Sequence, residues 1–212
     1  MRWIANTLIG LSYFLKRYPY NAQVSGLLRQ LSASLAAGYD TSCSDNWRCF
    51  ETHLTYDNAA LPLAMMNAAV ATRCTQTEKI AMESAEFLPG LLFSGRHLSV
   101  IGNKQWVRTY GAHKRFAQQP IEAMGMVKMC SFAFELTGKQ LWKERMLMAF
   151  DWFHGGNDLG IPFFDPETMG CCDDLEHDGV NRNQGAESTI AYLISCPTVS
   201  KHNPLSIQPV TI

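Results

Sequence analysis

Apolar residues at the start of the chain recur every three or four positions: Leu8, Leu11 and Leu15, then Val24, Leu27, Leu28, Leu31 and Leu35. That spacing is the period of helices that bury one face. Tyr18-Pro19-Tyr20-Asn21 interrupts it, which predicts two antiparallel helices joined by a short turn, with Gly38 closing the second as a C-terminal cap. A third helical pattern runs from Trp47 to about His53. A fourth follows Asp57-Asn58 and carries Leu61, Met65, Met66, Ala69 and Val70, with Pro62 tolerated in its first turn. Gln76 to Leu88 predicts a fifth helix, ended by Pro89-Gly90, and residues 91–118 lose the period. Helical spacing returns from Pro120 to Leu136, turns at Thr137-Gly138-Lys139 and resumes from Gln140 to about Phe153. It is then absent from His154 to Gln184, an uncommonly long loop for a compact domain and usually a functional one. A last helix begins near Gly185 with Ile190, Leu193 and Ile194. The tail is expected to be loosely ordered, giving a structured region 1–195 and a tail 196–212. No strand-period segment of any length competes, so the fold class is all-α, built from paired antiparallel helices.

Composition narrows the picture. Hydrophobic residues make up 47% of the 212 and charged residues only 17%, against a typical ~25% charged. Disorder and coiled coil are therefore excluded. A net charge of −1 leaves no global basic field, which argues against a nucleic-acid partner. No apolar run approaches the roughly 18–20 uncharged residues of a membrane span. The segment Ile4 to Leu15 is broken by Asn6, Thr7 and Ser12 and lacks a small-residue cleavage site, so it reads as a buried helix rather than a secretory signal. Seven cysteines at irregular spacing do not form a disulfide framework, and the expected compartment is the cytoplasm. Vicinal Cys171-Cys172 read better as small side chains in a tight turn than as a redox pair.

Four polar blocks punctuate the helices. They are Trp47 to Asn58, Ile101-Gly102-Asn103, Gln118-Gln119-Pro120-Ile121-Glu122, and Phe150 to Thr189, the last containing Asp151-Trp152-Phe153-His154 and Asn181-Arg182-Asn183-Gln184-Gly185. In this order they resemble the helical-toroid proteins of bacterial glycan gene clusters. Those have a six-hairpin-glycosidase-like architecture and are often described as glycosyltransferases or found fused to or encoded beside them. The resemblance covers residues 1 to about 195 and implies part of an (α/α) toroid, with a long irregular loop before the last helix and the ring incomplete. It implies a saccharide or glycan ligand and a glycosyltransferase partner. One departure stands out: the resemblance leads one to expect Asp-Gly-Leu after the cysteine pair, and the chain has Asp173-Asp174-Leu175. A positive φ there would carry a side-chain penalty.

In such a toroid the loops at one mouth converge, and the polar blocks fall at helix ends or in loops. Sugar binding calls for flat aromatic faces and paired polar groups. Trp47, Tyr56, Trp106, Trp152 and Phe153 are candidates for the first; Asp57, Asn58, Asn103, Gln118, Gln119, Asn157, Asn181, Asn183, Gln184 and Glu187 for the second. Glycoside hydrolysis needs two carboxylates at a set separation. Glu51, with no evident capping job, is the candidate raised-pKa acid, with Asp158 or Asp173 as the activating carboxylate. Duller roles stand beside these: Asp57-Asn58 as a helix cap, Gly155-Gly156 and Asn157-Asp158 as a C-terminal turn, Glu122 and Glu187 as first-turn carboxylates, and Asp151 with His154 as a helix-end pair. The six histidines show no metal spacing, and the acidic run Asp173 to Asp178 lacks the EF-hand pattern, so no metal or cofactor is expected. No Gly-rich phosphate cradle occurs, which argues against nucleotide-sugar transfer by this chain alone. Two functions remain open, a glycan-binding toroid with acid/base hydrolase chemistry and a non-catalytic accessory module.

Overall fold

A computed structural model describes residues 1–103, 107–108 and 116–204. The chain divides into two compact units, Met1–Gly90 and Leu91–Ile212.

In the first unit, α1 (Arg2–Arg17) turns Arg2, Ala5, Leu8, Ser12 and Leu15 inward, and Lys16 and Arg17 face the negative end of its dipole. Asn21 caps α2 (Ala22–Ser42), its side chain accepting from the Val24 amide at 3.0 Å. Both helices pack on α3 (Ala60–Thr72), which is buried on every side from Ala60 to Ala69. Pro62 lies in its first turn, as the pattern predicts. The unit closes with α4 (Thr75–Leu92).

The second unit is built on α5 (Pro120–Thr137), another helix buried nearly all round, which packs against α6 (Gln140–Asp151) and α7 (Ala186–Ser200). Gly138 ends α5 at φ 65°, a left-handed cap that glycine adopts without penalty. Trp152–His154 extend α6 as a single 3-10 turn. Between that turn and α7 the chain forms a folded stack: Phe163 donates to the Phe153 carbonyl at 2.9 Å, and the Cys172 amide donates to Phe163 at 2.9 Å. An antiparallel hairpin, Asp174–Glu176 with Gly179–Asn181, follows. Trp152 and Phe163 pack at 4.2 Å, and Phe164 stacks on Tyr192 at 4.4 Å.

Several local expectations are corrected. Gly38 does not end α2; the Met1 side chain presses on the glycine there, and the helix continues to place Tyr39 on Phe50 at 5.3 Å. Trp47 to His53 form no helix. Ser44 and Trp47 pair as an antiparallel bridge, and the Trp47 indole N–H donates to the Glu51 carbonyl at 2.7 Å, tying the segment into an irregular loop. Pro89 does not stop α4, which runs on to Leu92. An interior proline costs about 3 kcal/mol, and burying Leu88 and Leu92 at roughly 1.5–3 kcal/mol each offsets that. By the same logic α7 passes through Pro197 to bury Val199, so residues 196–200 are helical rather than loose. Cys171 and Cys172 are extended rather than in a tight turn, Cys171 bridging Phe164. Burial pushes the Cys171 thiol up to about 12, which leaves it little thiolate for redox chemistry. All seven cysteines are free. Asp174 opens a strand and is not among the left-handed non-glycine residues, Asp57, Arg73 and Met169, so the missing glycine there carries no penalty.

Candidate functional site

Polar side chains from distant segments meet in each unit. In the first unit the centre is Arg2, buried at the start of α1. Its guanidinium donates to Glu51, to the Asn58 side-chain oxygen at 3.0 Å and to the Tyr56 carbonyl at 2.7 Å. The Tyr56 ring is 52% exposed, and the guanidinium lies 5.4 Å from its centroid. Asn58 also accepts from the Thr55 amide at 3.0 Å. Asp57 between them is buried and left-handed at φ 44°, an unfavourable backbone for a residue with a Cβ. A cavity beside Glu51, lined also by His53, Asn58 and Leu61, measures about 10 Å³. That holds about one water and no sugar ring.

In the second unit the centre is Asp158, whose side chain is only 3% exposed. One oxygen faces the His97 Nε2 at 2.9 Å; the other accepts from the Ser99 hydroxyl at 2.6 Å and from the Gln118 amide. Gln118 is fully buried, and its own oxygen accepts from the Trp152 indole at 3.1 Å. The Gln118 backbone pairs in both directions with Leu175, at 3.1 and 2.9 Å. One residue thereby joins the hairpin of His97, the turn after α6 and the acidic strand from Asp174. Asn157 ties down that turn, donating to the carbonyls of Trp152 at 2.9 Å and Ile161 at 2.8 Å.

Asp173 lies at the head of α7. It accepts from the Gly185 amide at 2.8 Å, from the Asn183 side chain and from Ser188. Partial burial opposes the charge, yet those three hydrogen bonds outweigh it and hold the carboxyl below its ordinary range. Asp173 is thus a carboxylate at neutral pH, facing the positive end of a helix. Its folded-state pKa being depressed, it contributes stability above the unfolded value of about 3.9, lost as pH falls through the folded value. The melting-temperature gap between wild type and Asp173→Asn is therefore expected to be present at pH 7 and to close on acidification; a gap that ignores pH would contradict this.

Among solved structures, the chain is similar to a GH76A α-1,6-mannanase of Salegentibacter sp. HEL1_6, an inactive variant with two consecutive aspartates changed to asparagine, in complex with α-1,6-mannotriose. The TM-score is 0.68 at 11% identity, over 96% of this chain and 56% of that one. A second structure of that mannanase gives 0.63 at 14% identity, over 95% and 55%. A GH76 α-mannanase of Bacteroides thetaiotaomicron gives 0.67 at 12% identity, over 95% and 56%. The fold is that of an (α/α) toroid. The chain spans about half the length of these structures. No family model and no curated protein sequence matches it.

Within that toroid fold the expected site residues divide. Tyr56, Asn103, Asn181, Asn183 and Glu187 are exposed, and Glu51, Gln119, Asp173 and Gln184 are half-buried. Gln119 immediately precedes α5, its carbonyl accepting from the Glu122 amide. Gln184 bonds Thr168 at 2.8 Å and Asp165 at 3.3 Å. Trp47, Trp152 and Phe153 are core residues, at most 3% exposed, and cannot stack on a sugar. Gln118, Asn157 and Asn58 are likewise buried and spend their amides on the protein, so they shape the site from beneath instead of touching a ligand. Asn58 does not cap α3 either; that helix starts from Ala59 with no side-chain cap. Glu51 has a structural partner after all, in Arg2. His154 hydrogen-bonds at the helix end as expected, but its partners are the Phe150 carbonyl and the Tyr192 hydroxyl, both at 3.3 Å, in place of the expected Asp151. Trp106 lies outside the described residues. Among the described residues no group of three or more metal-type side chains gathers, and no helix is long and apolar enough to cross a membrane.

Sequence reasoning missed Arg2, His97, Ser99 and Ser188. His97 and Asp158 are 61 residues apart, and no spacing rule links them.

Proposed function

We propose that this chain is a carbohydrate-active (α/α) toroid segment that binds a glycan at its polar loops and acts on it with hydrolase-type proton chemistry. The observation that carries the reading is the gathering of four distant segments around Asp158 and Gln118, which aligns an acidic strand with a His–Asp pair in the second unit. Hydrogen-bonding groups held from beneath while others stay exposed is the arrangement that recognition of vicinal hydroxyls requires. The structural neighbours add support: each is named an α-mannanase, and one holds α-1,6-mannotriose. An α-linked mannan is accordingly the first substrate to try. Of the carboxylates, Asp173 is the candidate base, whereas Glu51 serves better as the partner of Arg2 than as a proton donor. The free state of all seven cysteines fits a reducing compartment, the cytoplasm.

A second reading has an observation of its own. The outward side of α7 carries Ile190, Leu193 and Ile194, 53%, 56% and 39% exposed, opposite its buried stripe. An accessory module held against a glycosyltransferase would cover such a face.

Thermal melting with a panel of oligosaccharides tests the glycan reading, because a ligand of the native state raises the melting temperature by mass action. α-1,6-Mannotriose at 100 times its dissociation constant is expected to add about 2.7 kcal/mol. A flat response across mannose, glucose and galactose oligomers would sink the reading. Binding without release of reducing ends from mannan would favour the accessory module.

A further inference from the structure

In the second unit the end of α6 and the residues after α7 border an open cavity of about 510 Å³. That lies within the roughly 300–1,000 Å³ of small-molecule sites. Leu147, Met148 and Phe150 line one part of it, and Asp151, His154 and Asn203 line the rest. The lining is fixed from behind. Phe150 is buried and stacks on Tyr192 at 6.0 Å. The His154 ring packs on Phe150 at 4.8 Å and bonds the Phe150 carbonyl and the Tyr192 hydroxyl. Lys201 pairs with Glu135 at 2.7 Å and His202 with Ser131 at 2.9 Å, so α5 anchors the segment that carries Asn203.

The chemistry of this lining selects its ligand. A carbonyl only accepts, so His154 keeps its proton on Nδ1, and Nε2 accepts from Tyr192. Partial burial pushes the imidazole down from its ordinary value, leaving it neutral at pH 7. None of the six lining residues is then a cation, and an anion such as phosphate would meet Asp151 with nothing to offset the repulsion. An organic cation calls for an open aromatic face, and Phe150 is only 5% exposed. The exposed Asp151 carboxylate accepts from two hydroxyls at once, and the Asn203 side chain both donates and accepts. An apolar bed beside such groups matches a pyranose, which has a C–H face and an edge of vicinal hydroxyls. We propose that this cavity is a saccharide-binding site, holding a neutral sugar ring with its C–H face on Leu147 and Met148 and its hydroxyls on Asp151 and Asn203. The inference rests on the glycan reading above and gives it a place on the molecule.

The test is an NMR titration of the whole chain, carbon-13 labelled at its methionine methyls, with α-1,6-mannotriose. The Met148 signal, assigned through Met148→Leu, is expected to shift to saturation, while that of Met146, fully buried in the core, stays in place. Asp151→Asn is expected to weaken binding about 10–100-fold, because a neutral amide replaces a charged acceptor of hydroxyl protons. Asn203→Ala is expected to weaken it about 3–10-fold and serves should Asp151→Asn fail to fold. Mannotriose that binds and leaves the Met148 signal unmoved would overturn this site while the glycan reading stands. Unchanged affinity in whichever of the two variants folds would do the same. A Met148 shift with tetramethylammonium or inorganic phosphate, and none with mannotriose, would assign the cavity to another ligand class and overturn it as well. A chain that binds no member of the oligosaccharide panel removes both readings.

Discussion

Asp158→Ala is expected to lower the apparent melting temperature by roughly 6–20 °C, the shift that about 3–5 kcal/mol produces in a chain of this size. The carboxylate accepts from Ser99, Gln118 and His97 together. Truncation leaves the amide of a fully buried glutamine facing nothing, and an unsatisfied buried donor costs about 1–3 kcal/mol on its own. Ser99 and His97 are less buried and recover part of their loss from water. Because Gln118 also pairs with Leu175, the damage should spread to the acidic hairpin. Hydrogen exchange at residues 173–181 should rise with the fall in melting temperature. A variant that melts within about 2 °C of wild type would show that the Asp158 network contributes little to the fold.

Arg2→Ala comes next, at about 2–3 kcal/mol. Breaking a buried ion pair costs about 3–5 kcal/mol; the figure is discounted because Glu51 remains a quarter exposed and keeps some hydration. The loss strikes three acceptors, Glu51, Asn58 and the Tyr56 carbonyl, which together hold the turn containing left-handed Asp57. Arg2→Lys should recover less than half of the loss, since an ammonium lacks the planar fork that reaches three acceptors at once. Chemical denaturation of the three proteins measures this directly. Full rescue by lysine would mean that charge alone, and not the fork, holds the turn.

The helices were legible because their signal is local. Leu8 to Leu35 repeat with the helical period, Pro120 and Gly138 bracket α5, and a buried helix such as α3 shows itself as an unbroken apolar run. The misread boundaries fail for one reason. Gly38, Pro89 and Pro197 are local stop signals, and at each the helix continues because a residue beyond it, Tyr39, Leu92 or Val199, has a buried place to fill. Trp47 to His53 erred in the opposite sense: its apolar spacing is helical, but the Trp47 indole donates to the Glu51 carbonyl and holds the segment in an irregular loop.

The candidate site was legible in its residue types and not in their roles. Asp57, Asp158, Asp173 and Asn183 were marked by polarity at helix ends, and the structure does set them in hydrogen-bonded or strained turns. Polarity could not reveal that Gln118 and Asn157 face inward, because an amide satisfied by the protein and an amide offered to a ligand have the same sequence. Nor could it reveal His97 or Arg2, whose partners lie 61 and 49 residues away.

What the sequence determined alone is therefore the all-α class, the order of every helix apart from the one wrongly expected at Trp47 to His53, and the positions of the polar loops, since each depends on periodicity and capping within a few residues. The tertiary structure decided which polar groups are foundation and which are surface, how far each helix runs past a glycine or proline, and that Asp158 stands behind His97. Those outcomes depend on burial, and burial is settled by segments that meet only when the chain has folded.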